Sequence, residues 1–265
     1  MMEVRRGKSM IAHDSSWRRS PGRPNLGVND IHVWFGELDV EPQWVDRLSL
    51  SLSDDERARA ARFHFVQHQR RFAVARGILR DVLGRYVGCE ADRVVFAYDT
   101  KGKPMLAAGC GDGTVQFNLS HSQGLSLIAV TRGRAVGVDI EQIRPIRDLK
   151  SLTKRCFSPQ EGAAILALPV AQHLRAFFSC WTRKEAYLKA LGDGLARPLD
   201  SFAVSVEPDG LARLLWASQG PEESSRWLLS GLVPAWDTIG AVAVPAQSAQ
   251  LTCWTWSSDF AGFGT

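Results

Sequence analysis

Two short stretches carry carboxylates and cations at spacings that could bring them together. In Gly137-Val138-Asp139-Ile140-Glu141, the apolar Val136, Val138 and Ile140 alternate with Gly137, Asp139 and Glu141. A period of two predicts a β-strand with Asp139 and Glu141 on one face, roughly 7 Å apart. In Trp181-Thr182-Arg183-Lys184-Glu185-Ala186-Tyr187-Leu188-Lys189 the spacing is helical. Leu174, Phe178, Trp181, Glu185 and Leu188 fall on one side, so Glu185 interrupts an apolar stripe and Lys189 lies one turn beyond it. Three carboxylates with no accompanying His or Cys suit a hard cation such as Mg²⁺, which takes oxygen ligands and bridges to substrate phosphates. The same spacing also fits a solvated strand edge and an ordinary helical ion pair, which carry no chemistry.

Two further features have the chemistry of an anion site. Phe117-Asn118-Leu119-Ser120-His121-Ser122 is a strand running into a turn, where Ser120 and His121 could donate to a phosphate oxygen. Asn118 is expected to fix that turn through its own backbone. There is no Gly-x-Ser-x-Gly elbow and no clear third partner, so a Ser/His/Asp triad is not supported. Arg76 stands in the stripe Phe72, Arg76, Leu79, Leu83 of another helix, with no acidic residue at 72, 73, 79 or 80. A buried guanidinium is costly without a partner, which points to a ligand phosphate. The alternative is an arginine snorkelling from the edge of a core.

The elements that must position these residues follow from periodicity and punctuation. Ile31–Trp34 reads as a strand, Ser53-Asp54-Asp55-Glu56 as a capping box, and Gln67–Leu83 as a helix stopped by Gly84. Strands are expected at Val94–Tyr98, Val115–Leu119 and Leu125–Thr131, with a turn at Thr100-Lys101-Gly102-Lys103. The same order recurs about 105 positions on. After the strand bearing Asp139, Ser158-Pro159-Gln160-Glu161 is a second capping box, and a long helix ends at Leu191-Gly192. Strands follow at Phe202–Val206, Ile239–Val244 and Leu251–Trp256. The fold class is therefore α+β, with two similar α+β halves related by a pseudo-two-fold axis and a ligand crevice between them. The expected boundaries are a flexible N-terminal tail at 1–29, a first half at 30–132, a second half with the metal site at 133–258, and a C-terminal tail at 259–265.

Composition narrows the class. The 265 residues are 45% hydrophobic and 23% charged, which suffices for a substantial core. The net charge of +4 owes much to Arg5, Arg6, Lys8, Arg18, Arg19 and Arg23 in a polar, aperiodic tail. No signal-peptide h-region and no run of ~20 apolar residues occurs, so no membrane segment is expected. Cys89, Cys110, Cys156, Cys180 and Cys253 include no CxxC pair, which argues against zinc and for a reduced, cytoplasmic protein.

Taken in order, these motifs resemble those of the 4′-phosphopantetheinyl transferases, in particular the longer, pseudo-dimeric Sfp type. The resemblance runs from about Ile31 to Trp256 and includes Phe117–Ser122, Gly137–Glu141, Cys156-Phe157-Ser158-Pro159-Gln160-Glu161 and the Trp-x-x-Lys-Glu-x-x-x-Lys run. Lys101-Gly102-Lys103-Pro104 and Leu191-Gly192-Asp193-Gly194-Leu195 match as well. It implies holo-[acyl-carrier-protein] synthase activity: a serine of an apo acyl or peptidyl carrier protein attacks the β-phosphate of coenzyme A, and adenosine 3′,5′-bisphosphate leaves. It further implies that Asp139, Glu141 and Glu185 hold Mg²⁺, with Glu185 also a candidate base. Lys189 would neutralise phosphate charge, His121 and Ser120 would hold phosphate oxygens, and Arg71, Arg76 and Lys103 would bind the nucleotide end. The carrier would serve fatty-acid, polyketide or peptide synthesis, and is expected to meet a monomer near the helix opened by Ser158. Some relatives carry lysines where Glu56 and Arg59 stand here. A metal nuclease would also use scattered carboxylates and a lysine, but would want a strongly basic face. A non-catalytic carrier-binding module would not need the metal and phosphate residues.

Overall fold

The computed structural model, which describes residues 10–192 and 197–257, repeats one sequence of elements twice. Strand β1 (Met10–Arg19) precedes the first copy. That copy runs β2 (Asp30–Glu37), α1 (Pro42–Ser49), α2 (Asp54–Ala61), α3 (Val66–Val87), β3 (Phe96–Tyr98), β4 (Pro104–Leu106), β5 (Val115–Ser122) and β6 (Leu125–Arg132). The second runs β7 (Gly137–Gln142), α4 (Leu149–Cys156), α5 (Pro159–Ala167), α6 (Val170–Leu191), β8 (Phe202–Val204), β9 (Leu214–Ala217), α7 (Pro221–Arg226), β10 (Trp227–Leu232) and β11 (Thr238–Pro245). Strand β12 (Ser248–Thr255) closes the fold. Helices α3 and α6 each have 22 residues. Each copy's last strand lies antiparallel between two others, giving the orders β2-β6-β5 and β7-β11-β10.

This pairing corrects the expected ends of both halves. The counterparts of β5 and β6 are β10 and β11, whereas β12 crosses back to pair in parallel with β2 in the first sheet. The segment expected to be a flexible tail contains β1, which adds to the same sheet in parallel with β12. An edge strand held by backbone hydrogen bonds needs no side-chain alternation, and it is the missing alternation that suggests a tail. Asp193–Leu195, the first nine residues and the expected C-terminal tail lie outside the described residues.

Three apolar cores hold these layers together. One packs α3 on the first sheet through Trp34, Val74, Ile78, Leu79 and Ile128, and another packs α6 on the second through Phe178, Tyr187, Leu229 and Ala241. The third lies between the sheets and joins Ile31, Val33, Leu127 and Ala129 to Val138, Ile140, Leu228 and Val242. Helix α3 runs a turn past Gly84 and ends at Gly88, which supplies the left-handed cap at φ 75°. Both capping boxes form, and each cap glutamate also reaches into its core. Glu161 accepts two bonds from Lys184 Nζ, at 2.6 and 2.7 Å, and one from the Val204 amide. Glu56 likewise accepts from Arg76 Nε and Arg80 Nε, each at 2.6 Å. The cap thus sets the long helix's rotation about its axis as well as its neighbour's start.

Strand β7 crosses α6 at Gly137 with no room between the backbones. A Cβ there would overlap the Ala186 carbonyl and the Ala190 amide. Gly137→Ala should therefore lower unfolding stability by ~1–3 kcal/mol or more, read by urea denaturation, because overpacked backbone relaxes poorly. A loss within a few tenths of a kcal/mol would show that β7 and α6 separate freely.

Candidate active site

The close approach at Gly137 brings the face of β7 that carries Asp139 and Glu141 onto the side of α6 that carries Glu185 and Lys189. Residues from the first half complete a cleft of about 520 Å³, lined by Arg59, Phe72, Arg76, Tyr98, Ser120 and His121 together with Asp139, Glu141, Trp181, Glu185 and Lys189. The β5–β6 hairpin delivers Ser120 and His121. Its turn has Gln123 at φ 48° and Gly124 at φ 86°, the left-handed pair of a two-residue hairpin loop. Asn118, expected to fix that turn, instead accepts the Val138 amide at 2.9 Å and ties the two halves together.

The polar contacts divide the carboxylates. Asp139 Oδ1 accepts from Ser120 Oγ at 2.8 Å and from Lys189 Nζ at 2.6 Å, and Lys189 also donates to Ser120 Oγ. Glu141 Oε2 accepts from Ser122 Oγ and Arg144. Asp139 Oδ2 and Glu185 Oε1 are buried and accept no hydrogen bond. Burial raises the Asp139 carboxyl above its ordinary range, against the pull of Lys189 and Ser120. Burial also raises Glu185, and the nearby Asp139 charge adds to it. His121 is lowered, first by burial and then by Lys189, which favours the neutral imidazole.

Of the cations expected to bind a ligand, the structure brings Arg76 and Lys189 to the cleft, and not Arg71. Arg71 pairs with Asp39 through Nε at 2.7 Å. Lys103 donates to the Lys189 carbonyl at 2.6 Å, and burial lowers its pKa. It braces the last turn of α6 beside the cleft. Arg76 has a protein partner, contrary to the expectation from its own helix: Glu56 pairs with it, and its guanidinium lies 4.5 Å from the Phe96 ring centre. Glu56 comes from a neighbouring helix, which no search along α3 could find. Residues not singled out as ligand contacts are Arg59, Tyr98 and Trp181. Arg59 packs over Phe72 and has no carboxylate partner among the described residues.

Comparison with known proteins agrees with this arrangement. Residues 40–132 match the model of the 4′-phosphopantetheinyl transferase N-terminal region, and residues 135–238 match that of the 4′-phosphopantetheinyl transferase superfamily. The 4′-phosphopantetheinyl transferase HetI of Nostoc sp. is 41% identical over 245 residues, or 92% of this chain and 99% of its own. The chain belongs to the 4′-phosphopantetheinyl transferases. The family member Sfp of Bacillus subtilis is 30% identical over 165 residues, or 62% of this chain and 71% of its own. As a 4′-phosphopantetheinyl transferase, the chain is an enzyme, and its two family regions meet at residues 132–135, between β6 and β7.

The raised Glu185 carboxyl has a consequence for stability. A carboxyl whose folded pKa lies above its unfolded one is penalised when ionised, so it destabilises the ligand-free fold near neutral pH. Glu185→Gln should raise stability at pH 7, by about 1.4 kcal/mol for every tenfold by which folding tightens the carboxyl's hold on its proton. The gain should vanish as pH falls below about 4, where Glu185 is protonated in both states. A variant less stable than wild type in a thermal melt at pH 7 would contradict this account.

Proposed function

We propose that this cleft transfers 4′-phosphopantetheine from coenzyme A to a serine of an apo acyl or peptidyl carrier protein, with Mg²⁺ on the pyrophosphate. The pair of buried, unpartnered oxygens, Asp139 Oδ2 and Glu185 Oε1, carries this reading. Anionic oxygens that have lost water without gaining a donor are costly, and a divalent cation restores what they lack. Asp139, Glu185 and Glu141 would hold it. Among the described residues no three His, Cys, Asp or Glu side chains form a metal cage. The reading therefore rests on the two orphaned oxygens and not on a closed set of three carboxylates, and waters and substrate phosphates would have to complete the shell of a bound Mg²⁺. When bound, the ion would neutralise charge on the pyrophosphate as it is cleaved.

The chain's own residues supply the rest. The carrier serine Oγ attacks the β-phosphorus, the bond from that phosphorus to the bridging oxygen breaks, and adenosine 3′,5′-bisphosphate leaves. Glu185, with its raised affinity for a proton, is positioned to take the one the serine loses. Lys189 turns from Asp139 to the phosphate oxygens, and neutral His121 donates to them along with Ser120. Positioning and charge neutralisation supply most of the acceleration in such transfers. Arg59, with no carboxylate partner among the described residues, is the stronger anchor for the 3′-phosphate, whereas Arg76 shares its charge with Glu56. One chain supplies both walls, so a monomer suffices, and five free cysteines suit a reducing cytoplasm.

Incubation with coenzyme A, Mg²⁺ and an apo carrier should add the mass of phosphopantetheine to the carrier. Chelation should abolish the gain, and Asp139→Ala should slow it by at least ~100-fold, a few kcal/mol of barrier. Transfer that persists under strong chelation would refute the metal role. Arg59→Ala should shrink the preference for coenzyme A over its dephospho form by roughly tenfold, the weight of one charged hydrogen bond. Arg76→Ala should weaken both substrates alike. The opposite pattern would return the 3′-phosphate to Arg76.

A further inference from the structure

The loop between α2 and α3 leaves the cleft as a ridge of exposed aromatic and aliphatic side chains. Phe72, which lines the cleft, packs against Phe63 at 5.5 Å between ring centres. Phe63 lies 6.5 Å from His68, and His68 lies 5.8 Å from Phe65, which also touches His64. Phe63, Phe65 and Val66 are 39, 62 and 58% exposed. Consecutive large apolar residues on a surface are costly unless something covers them.

The stretch that forms this ridge carries charge of one sign. Between Glu56 and Asp81 the chain holds seven arginines and no carboxylate. Arg76 and Arg80 are spent on Glu56, and Arg57 and Arg71 on Asp54 and Asp39. Arg62 and Arg70 are exposed and have no carboxylate partner among the described residues. Helix α3 begins between them with no side-chain cap and no acidic residue in its first turn, so its positive end adds to the field.

We propose that Phe63, Phe65 and Val66, flanked by Arg62 and Arg70, dock the carrier protein through a face with an apolar centre and an acidic rim. This rests on the transfer reading, because an acceptor serine must reach the cleft from a body seated at its mouth. The ridge starts at the cleft wall and is apolar at its centre and cationic at its rim, the usual anatomy of a specific interface. It adds a contact from the first half, whereas the helix opened by Ser158 belongs to the second.

The test compares Phe65→Ser and Arg62→Glu/Arg70→Glu with wild type in two assays: kcat/KM for an intact apo carrier, and coenzyme A affinity by titration. Both substitutions should lower kcat/KM for the carrier by tenfold or more and leave coenzyme A affinity unchanged. The charge reversal should also flatten the dependence of kcat/KM on salt. Unchanged carrier kinetics would overturn the docking face, and so would an equal loss in coenzyme A affinity. Binding of a single-stranded RNA that both variants abolish, with carrier kinetics intact, would reassign the ridge to nucleic acid. A wild-type chain that binds coenzyme A but modifies no carrier would instead remove the transfer reading on which this rests.

Discussion

The close approach of β7 to α6 is the constraint on which the site depends. Gly137 lets the two backbones meet. Only at that separation do a strand-borne Asp139 and a helix-borne Lys189 come within 2.6 Å. Alternation along β7 sends Val138 and Ile140 into the core between the sheets and turns Asp139 and Glu141 toward the helix. The Glu161–Lys184 pair fixes α6 from the opposite direction. Lys184 is fully buried, with both Glu161 oxygens and the Phe202 carbonyl as acceptors, so it holds α6 at one rotation. Such a pair is worth little as net stability, but leaving either partner alone is expensive, which makes it a device for registration.

Duplication explains why the cleft exists, and its breakdown explains why the orphaned carboxylate oxygens described here lie in the second half. Helices α3 and α6 have equal length, so Asp81 and Arg85 take in α3 the places that Glu185 and Lys189 take in α6. In strand register, Trp34 stands in β2 where Asp139 stands in β7. The first-half acid and cation are consumed by one another at 2.7 Å, and Trp256 Nε1 donates to Asp81. Arg85 lies over the Trp34 ring. The same scaffold thus carries a solid plug in one half and unpartnered carboxylate oxygens in the other.

What the sequence reveals depends on how local the cause is. Alternation in β7, helical spacing in α6 and both capping boxes are short-range, and all of them form. The 105-residue echo exposes the duplication because each copy obeys the same local rules. Partners supplied by another element are invisible: Glu56 for Arg76, Asp39 for Arg71, the Lys189 carbonyl for Lys103 and the Val138 amide for Asn118. Strand pairing is equally non-local. Nothing within residues 248–255 says that they belong to the first sheet, because a parallel pairing leaves no turn signal next to it.

That last strand has a bearing on biosynthesis. β12 lies between β1 and β2, and Trp256 donates its backbone amide to the Phe35 carbonyl as well as its indole to Asp81. The five-stranded sheet therefore lacks both β12 and β1, which joins it only through β12, until residues 248–255 have been made. The first sheet cannot close before β12 emerges, so its closure joins segments more than two hundred residues apart in sequence. Truncation from the C-terminus would for the same reason damage the half that is synthesised first.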